Sequence, residues 1–432
     1  MSTASGDTAP HRAAARRSLE GLALGDAFGE RWFPLFRDPR QAYQEVRARR
    51  TPEEPDWHWT DDTAMALGLL RVLDRYGEVR QRELALAFAL GHDADPGRGY
   101  GHGMHDLLPR VLQEPDRWRE FARDLFGGQG SLGNGAAMRV APLGAWFHAD
   151  LARTVEQATR SAEVTHAHPE GVAGAVAVAV AAALSARGRL DIAEVAALTP
   201  DSATREGLVR AAALPFTTEP WQASDVLGNG QRVRADDTVP FAVWSAARHP
   251  DDLVAALWTT AEGFGDVDTT CAITGGVVAA RTGVDAVPAD WLRRREPLPG
   301  RGERGGEPGG RTGRRTERRT PMTAAHEKPV PVLRVRNTGG ELLELVLEPY
   351  GSDHWLRPGE TFVVWAIGPR DDGLFEVEHE PGTVTVIAAA SAYVGDADGN
   401  EIECGHNRPR GARPYWLDLA RPSTPGPRAP RG

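Results

Sequence analysis

Residues 296–329, EPLPGRGERGGEPGGRTGRRTERRTPMTAAHEKP, decide what the rest of this chain can build. Gly, Pro and Arg dominate the stretch and apolar residues are nearly absent, so it cannot bury enough surface to offset the entropy of being ordered. It reads as a flexible linker. An Arg-rich nucleic-acid tail is the competing reading, but Glu303, Glu307 and Glu317 interrupt the charge and no aromatic side chain is present to stack on bases. A chain of 432 residues suggests two or three domains, and this break shows where they divide.

The hydrophobic period differs on the two sides. From 12 to 295, apolar residues recur at helical spacing between glycine-rich breaks, which predicts a helical domain and a mainly α protein. Its most apolar stretch, GVAGAVAVAVAAALSARG at 171–188, is interrupted by Gly174 and falls short of the ~20 residues a membrane span needs. A buried helix is expected there, and no membrane partner. From 330 to 410 the period becomes two, in short runs such as ETFVVWAIG separated by Gly, Pro, Asp and Asn, which predicts a small antiparallel β-domain. Within it, DADGN lacks the ligand order of a calcium loop and reads as a hairpin turn. His354 and Glu360 offer a cupin-like metal pair, against which strand and turn roles are the simpler reading. The tail RPSTPGPRAPRG is expected to be disordered.

A net charge of −10 argues against nonspecific binding to phosphates, so no stable nucleic-acid partner is expected. Cys271 and Cys404 give neither a disulfide framework nor a zinc-ligand set. With no signal-peptide pattern at the N-terminus, a reducing cytoplasm is the expected compartment, and a monomer the expected state.

Chemistry is concentrated at helix starts. In WTDDTAMALGLL, at 59–70, Thr60, Asp61, Asp62 and Thr63 precede an apolar helical run, although one of them would cap it. The pattern recurs in GFGDVDTTCAITGG, where Asp266 and Asp268, two apart, can point the same way from an extended segment. If the two starts face each other, Thr60, Asp61, Asp62, Asp266, Asp268 and Thr269 make an all-oxygen cage suited to Mg2+ or Mn2+. Two independently capped helices remain the alternative. The glycines of GGQGSLGNGAAMRVAPLG let backbone amides approach an anion, with a helix opening behind them, although no Gly-Lys-Ser/Thr follows as in a P-loop. Thr165, His166 and His168 lead into another helix, with Pro169 in its first turn. Arg98, Tyr100 and His102 sit in a further Gly-rich loop, DADPGRGYGHGM, suited to closing over a ligand.

GLALGDAFGE, WTDDTAM, GSLGNGAAMRVAPLG, THAHPEG and GDVDTTCAITGG, in this order, resemble the motif set of the ADP-ribosylglycohydrolases over about residues 12–292. The resemblance implies an orthogonal all-α bundle with two Mg2+ or Mn2+ ions, acting on an ADP-ribosylated substrate at C1″ of the ADP-ribose. Thr60, Asp61 and Asp62 match one metal motif, and Asp266, Asp268 and Thr269 the other. Ser131, Gly133, Asn134 and Gly135 match the loop that cradles the diphosphate, and His166 a histidine that contacts substrate. Asp26 belongs to a motif where a supporting role is expected.

With the ribose hydroxyls held by the ions, a carboxylate would take the proton of the attacking water, Asp62 by preference over Asp61. One departure bears on turnover: many relatives carry a Glu where this chain has Phe33, and Glu30 lies three residues earlier. The rival reading is therefore a catalytically weak ADP-ribose-binding sensor. Phosphotransfer is disfavoured because no phosphate-binding Lys accompanies the glycine loop.

Overall fold

Gly21, Gly25 and Gly29 recur every fourth residue along the helix Pro10–Glu30, which leaves one face of it without side chains. The helix Val267–Thr282 lies against that face. A Cβ on Gly25 would meet the carbonyl oxygen of Cys271 at 2.0 Å, one on Gly29 the Cα of Asp268 at 2.5 Å, and one on Gly275 the carbonyl oxygen of Gly21 at 2.2 Å. The two backbones are in contact, and only hydrogen fits at these positions. Ser18 Oγ donates to the carbonyl of Gly276 at 2.7 Å and pins the far end. Because the helices run antiparallel, the last turn of the first, with Asp26 and Glu30, reaches the first turn of the second, with Asp266 and Asp268.

The computed structural model describes residues 10–33, 39–51, 56–299, 330–348, 352–366, 375–380, 382–387, 392–397, 399–400 and 402. Seventeen α-helices are described between Pro10 and Arg294. The Ala-rich helix Pro169–Ala186 is long and apolar enough to cross a membrane by length and composition, but 83% of it is buried inside the domain. It is the central core helix, packed against helices Leu151–Ala162, Ala141–Trp146, Ala235–Arg248 and Val267–Thr282. Around the end of the first helix, Phe28 stacks on Trp291 at 4.9 Å and meets the edges of Trp258, Trp57 and Trp32.

That aromatic cluster anchors the end of the helical region. Trp57 N donates to the Arg294 carbonyl at 2.9 Å and Glu296 N to the Trp57 carbonyl at 2.8 Å. The chain accordingly divides in sequence between Glu296 and Pro297. Glu296, expected at the start of the linker, belongs to the helical unit. Residues 300–329, Cys404 and the C-terminal tail lie outside the described residues.

The second unit contains two small sheets. Strands β1 (Val330–Arg336), β2 (Leu343–Glu348), β3 (Ser352–Leu356), β4 (Thr361–Ala366), β5 (Glu376–Glu380), β6 (Thr383–Ile387) and β7 (Ala392–Gly395) are arranged as β1-β4-β7 and β3-β2-β6-β5. All pairings are antiparallel except β2 with β6, which is parallel. The expectation of a purely antiparallel domain is corrected at that pair: three strands intervene between β2 and β6, so no hairpin fixes their direction. Leu345, Leu347, Leu356, Phe362, Val364, Val386 and Val394 fill the core of this unit. Asp396 N donates to the Asn400 carbonyl at 2.8 Å, so the DADGN segment closes as a turn. His354 lies on β3 opposite Leu345, and Glu360 accepts from Arg357 N at 2.7 Å within the turn to β4.

The glycine contact generates a prediction. Gly25→Ala should cost about 3 kcal/mol or more, because backbone has to move apart. Gly77→Ala, which meets nothing within 4 Å but keeps a left-handed φ of 71°, should cost about 1 kcal/mol. Urea midpoints of the two variants check this, and equal losses would contradict the backbone contact.

Candidate active site

The cap of the helix Asp61–Tyr76 is supplied by residues other than its two aspartates. Thr60 is the N-cap and its Oγ1 accepts from Asp62 N at 3.4 Å. Asp26, reaching across from the first helix, accepts from Thr60 N at 3.0 Å, from Thr63 N at 3.1 Å and from Thr63 Oγ1 at 2.5 Å. The free amides of the helix start are thereby satisfied, and Asp61 and Asp62 are left over for another task. Both are buried. Asp62 Oδ2 accepts from Thr60 Oγ1 at 3.2 Å, while Asp62 Oδ1 has no hydrogen-bond partner among the described residues.

The second acidic start differs in detail from the expected extended segment. Asp266 is the N-cap residue of the helix Val267–Thr282 and Asp268 already lies in its first turn. Their carboxyls nevertheless act on each other: the charge of Asp268 is, after burial, a cause of the raised Asp266 carboxyl. Asp268 Oδ1 accepts from Thr269 N at 2.7 Å.

The two starts face each other electrostatically. Burial, followed by the charges of Asp26 and Asp268, pushes the Asp61 and Asp62 carboxyls well up, and Asp62 also feels Asp266. Asp26, Asp266 and Asp268 are raised as well, with burial the first cause. Glu30 joins them: burial and the charges of Asp268, Asp26 and Asp61 raise its carboxyl. Such a cluster cannot be fully ionised without positive charge inside it. Among the described residues, no three His, Cys, Asp or Glu side chains converge on a finished coordination sphere. The donor chemistry still fits a hard divalent cation, since every available atom is oxygen and Asp62 Oδ1 is buried without a partner.

The glycine loop lies beside this cluster. Asn134 Nδ2 donates to Asp266 Oδ2 at 2.6 Å and to Thr238 Oγ1 at 3.0 Å, so its side chain ties the loop to the acids. Gly133 N donates to Ser131 Oγ at 3.2 Å. The helix expected to open behind the loop is only the single turn Gly135–Met138, too short for its dipole to matter much. What Gly133 and Gly135 provide is room: a Cβ would lie 3.4 Å from His166 Nε2 in the first case and 2.9 Å in the second. Burial and the charge of Arg139 lower the His166 pKa to about 3, so the ring is neutral. His168 has a capping role, its Nδ1 accepting from Glu170 N at 3.1 Å.

Two features carried weaker sequence signals. Phe126, just before the loop, has a left-handed φ of 53° and is 55% exposed. Its backbone is strained and its ring lies in solvent beside the loop; the aromatic preceding the glycine run in LFGGQG was the only trace of it in the sequence. The other is the clasp on the 95–101 loop. Arg98 lies 3.7 Å from the Trp59 ring centroid, donates to the Trp59 carbonyl at 2.8 Å, and pairs with both Glu296 oxygens at 2.7 Å. Its own carbonyl accepts from Asp61 N at 2.8 Å. Tyr100, in the same loop, is buried, and its hydroxyl pKa is raised by burial and by Asp61.

Two acidic helix starts face each other in a helical domain with a glycine loop alongside, and comparison with known proteins supplies the class of protein. The sequence profile described as ADP-ribosylglycohydrolase matches residues 7–307. The chain belongs to the ADP-ribosylglycohydrolase family of hydrolases. ADP-ribosylhydrolase ARH3 of Homo sapiens is 29% identical over 277 residues, covering 55% of this chain and 75% of that protein. ADP-ribosylarginine hydrolase Tri1 of Pseudomonas putida is 24% identical over 289 residues, covering 65% and 73%. A solved chain from an ADP-ribosylglycohydrolase-related protein complex aligns with a TM-score of 0.48 at 25% identity, covering 66% of this chain and 93% of that one.

The raised carboxyls predict an inverted pH response. A folded-state pKa above the unfolded value, about 4 for these groups, means that the folded chain binds protons the unfolded chain releases. Stability is therefore highest below the ordinary carboxylate range and falls as pH rises through the raised values. In chelator, the melting temperature should drop between about pH 5 and pH 8. Mg2+ or Mn2+ at a hundredfold excess over Kd should return about 2.7 kcal/mol, roughly 5 °C, at the upper end. A flat profile in chelator would show that the carboxyls do not share a site.

Proposed function

We propose that this protein releases ADP-ribose by hydrolysing the glycosidic bond at C1″ of an ADP-ribosyl group, with two divalent cations held by Thr60, Asp61, Asp62, Asp266, Asp268 and Thr269. The observation that carries the reading is the buried carboxylate surplus: Asp26 and Thr60 do the capping, and the remaining acids have no structural task that explains them. Bound there, Mg2+ or Mn2+ would supply the positive charge that lets the carboxyls ionise and would polarise hydroxyl oxygens.

The chain's own groups do the rest. Asp62 has an oxygen that no protein group occupies; it takes the proton of the water attacking C1″ while the acceptor departs, and Asp61 holds the ribose side of the site. Positive charge developing at C1″ is stabilised by the neighbouring carboxylates. Gly133 and Gly135 admit the diphosphate close to backbone, and His166 donates to it. Phe126 offers a flat exposed face on which the adenine can stack. Tyr100 closes the site on the side of Asp61. Glu30, whose carboxyl feels the same aspartates, is the chain's own acid three residues before Phe33.

The second reading, an ADP-ribose-binding sensor, is favoured by Phe33 alone. Arginine is the acceptor to test first, because the similarity to Tri1 includes a protein named for that substrate; serine-linked and nucleic-acid-linked ADP-ribose complete the panel. With Mg2+ or Mn2+ present, Asp62→Asn should lower kcat by about 10²- to 10⁴-fold. Phe126→Ala should instead raise the Kd for ADP-ribose about tenfold, within the range of ~1–3 kcal/mol for a stacked base. ADP-ribose that stabilises the protein without cleavage of any substrate in the panel would decide for the sensor.

A further inference from the structure

Arg139 is fully buried, and no carboxylate bonds to it among the described residues. Nη1 donates to the Gly135 carbonyl at 2.9 Å, and Nη2 donates to the Ser161 carbonyl at 3.2 Å and to Thr165 Oγ1 at 2.8 Å. The Phe88 ring centroid lies 4.5 Å from the guanidinium carbon. A guanidinium only donates, so Thr165 Oγ1 is the acceptor in its bond with Arg139.

The same oxygen lies 2.7 Å from His166 Nδ1. Thr165 is fully buried, its hydroxyl carries one proton, and His166 Nδ1 is the one acceptor it meets among the described residues. If that proton points at Nδ1, the Thr165 hydroxyl, His166 Nδ1 and Arg139 Nη2 are all satisfied. If Nδ1 carried the ring proton instead, two donors would converge on Oγ1 and the hydroxyl hydrogen would be buried without an acceptor. Nδ1 therefore accepts, and the proton of the neutral ring sits on Nε2.

We propose that Arg139 and Thr165 form a buried relay that locks His166 in its Nε2–H tautomer, so that the ring offers a hydrogen-bond donor, and never a base, to an anionic oxygen of the ligand in the Ser131–Gly135 loop. The identity of that ligand as a diphosphate rests on the function proposed above; the tautomer does not. Nε2 faces the two positions where the loop has glycine, and it has no protein partner among the described residues. The low His166 pKa agrees, since desolvation and the Arg139 charge both oppose a second ring proton. One guanidinium also fixes the Gly135 carbonyl, so the loop and the ring that faces it are set by the same group. Arg139 and Thr165 are positioning residues: they act on the ligand only through His166 and the loop.

The test uses the full chain labelled with 15N-histidine, with the His166 ring signals assigned by their loss in His166→Asn. Long-range 1H–15N correlations should show an unprotonated Nδ1 and a protonated Nε2. Thr165→Ser should keep this pattern, and Thr165→Val should give a mixture of tautomers with the fold intact by thermal melting. In calorimetry, Thr165→Val should weaken ADP-ribose binding about tenfold, as loss of one oriented hydrogen bond implies, with Thr165→Ser restoring it. Arg139→Lys, which keeps charge but cannot fork to both Gly135 and Thr165, should fall between them. A proton on Nδ1 in the unaltered protein would overturn the proposal, as would a Thr165→Val protein with unchanged tautomer and affinity. The expected tautomer in a protein that binds no ADP-ribose would support the lock and count against the function proposed above.

Discussion

The helices Pro10–Glu30 and Val267–Thr282 touch backbone to backbone because glycine occupies the contact on both, and the arrangement of the site depends on that closeness. A pair of helices separated by ordinary side chains sits 8–10 Å apart, on the order of the width of a leucine layer. Here the separation collapses, so Asp26 and Glu30 at one helix end stand within electrostatic reach of Asp268 at the start of the other. Asp26 then extends the arrangement to a third element by capping the helix Asp61–Tyr76 from outside. Three segments that are distant in the chain are thus fixed around one volume by a stripe of missing side chains and one carboxylate.

Holding so many acids together opposes folding, and the domain around them offsets that cost. The helix Pro169–Ala186 and the Phe28–Trp291–Trp258 cluster bury large apolar areas immediately outside the site. The site itself is tied by polar bonds that leave little slack: Asn134 links the glycine loop to Asp266, and Arg98 links the 95–101 loop to Trp59 and Glu296. Arg139 adds a buried positive charge whose field is felt by Asp61, so part of the acidic charge is balanced within the protein before any ligand enters. This division of labour is common in enzymes: a stable periphery carries a strained centre.

Much of this was legible in the sequence, for physical reasons that differ from place to place. The helical period, the change of period after residue 329 and the buried character of the Ala-rich helix follow from side-chain spacing alone. The doubled acids at Thr60–Thr63 and Asp266–Thr269 were visible because they exceed what a cap requires. The glycine spacing at 21, 25 and 29 was equally plain, but its meaning needed the partner helix, which is more than two hundred residues away. Phe126 and Glu296 were harder still. An exposed aromatic resembles many others until its backbone proves strained, and a glutamate at the edge of a Gly- and Arg-rich tract reads as solvated until Arg98 is found against it. The parallel pairing of β2 with β6 was hidden because period two reports a strand without its direction.

Glu296 also bears on how the helical unit ends. Its backbone extends the pairing with Trp57, and its carboxylate grips Arg98, whose carbonyl receives the amide of Asp61. Two hydrogen-bonded steps therefore connect the last residue of the unit to an aspartate of the acidic cluster. Arg98 and Glu296 are each about one-fifth exposed, so the pair is partly shielded and its fork geometry gives it more rigidity than an ordinary surface ion pair. The end of the helical unit is thus tied to the acidic cluster by hydrogen bonds, and the scaffold of the site includes Glu296, beyond its last helix.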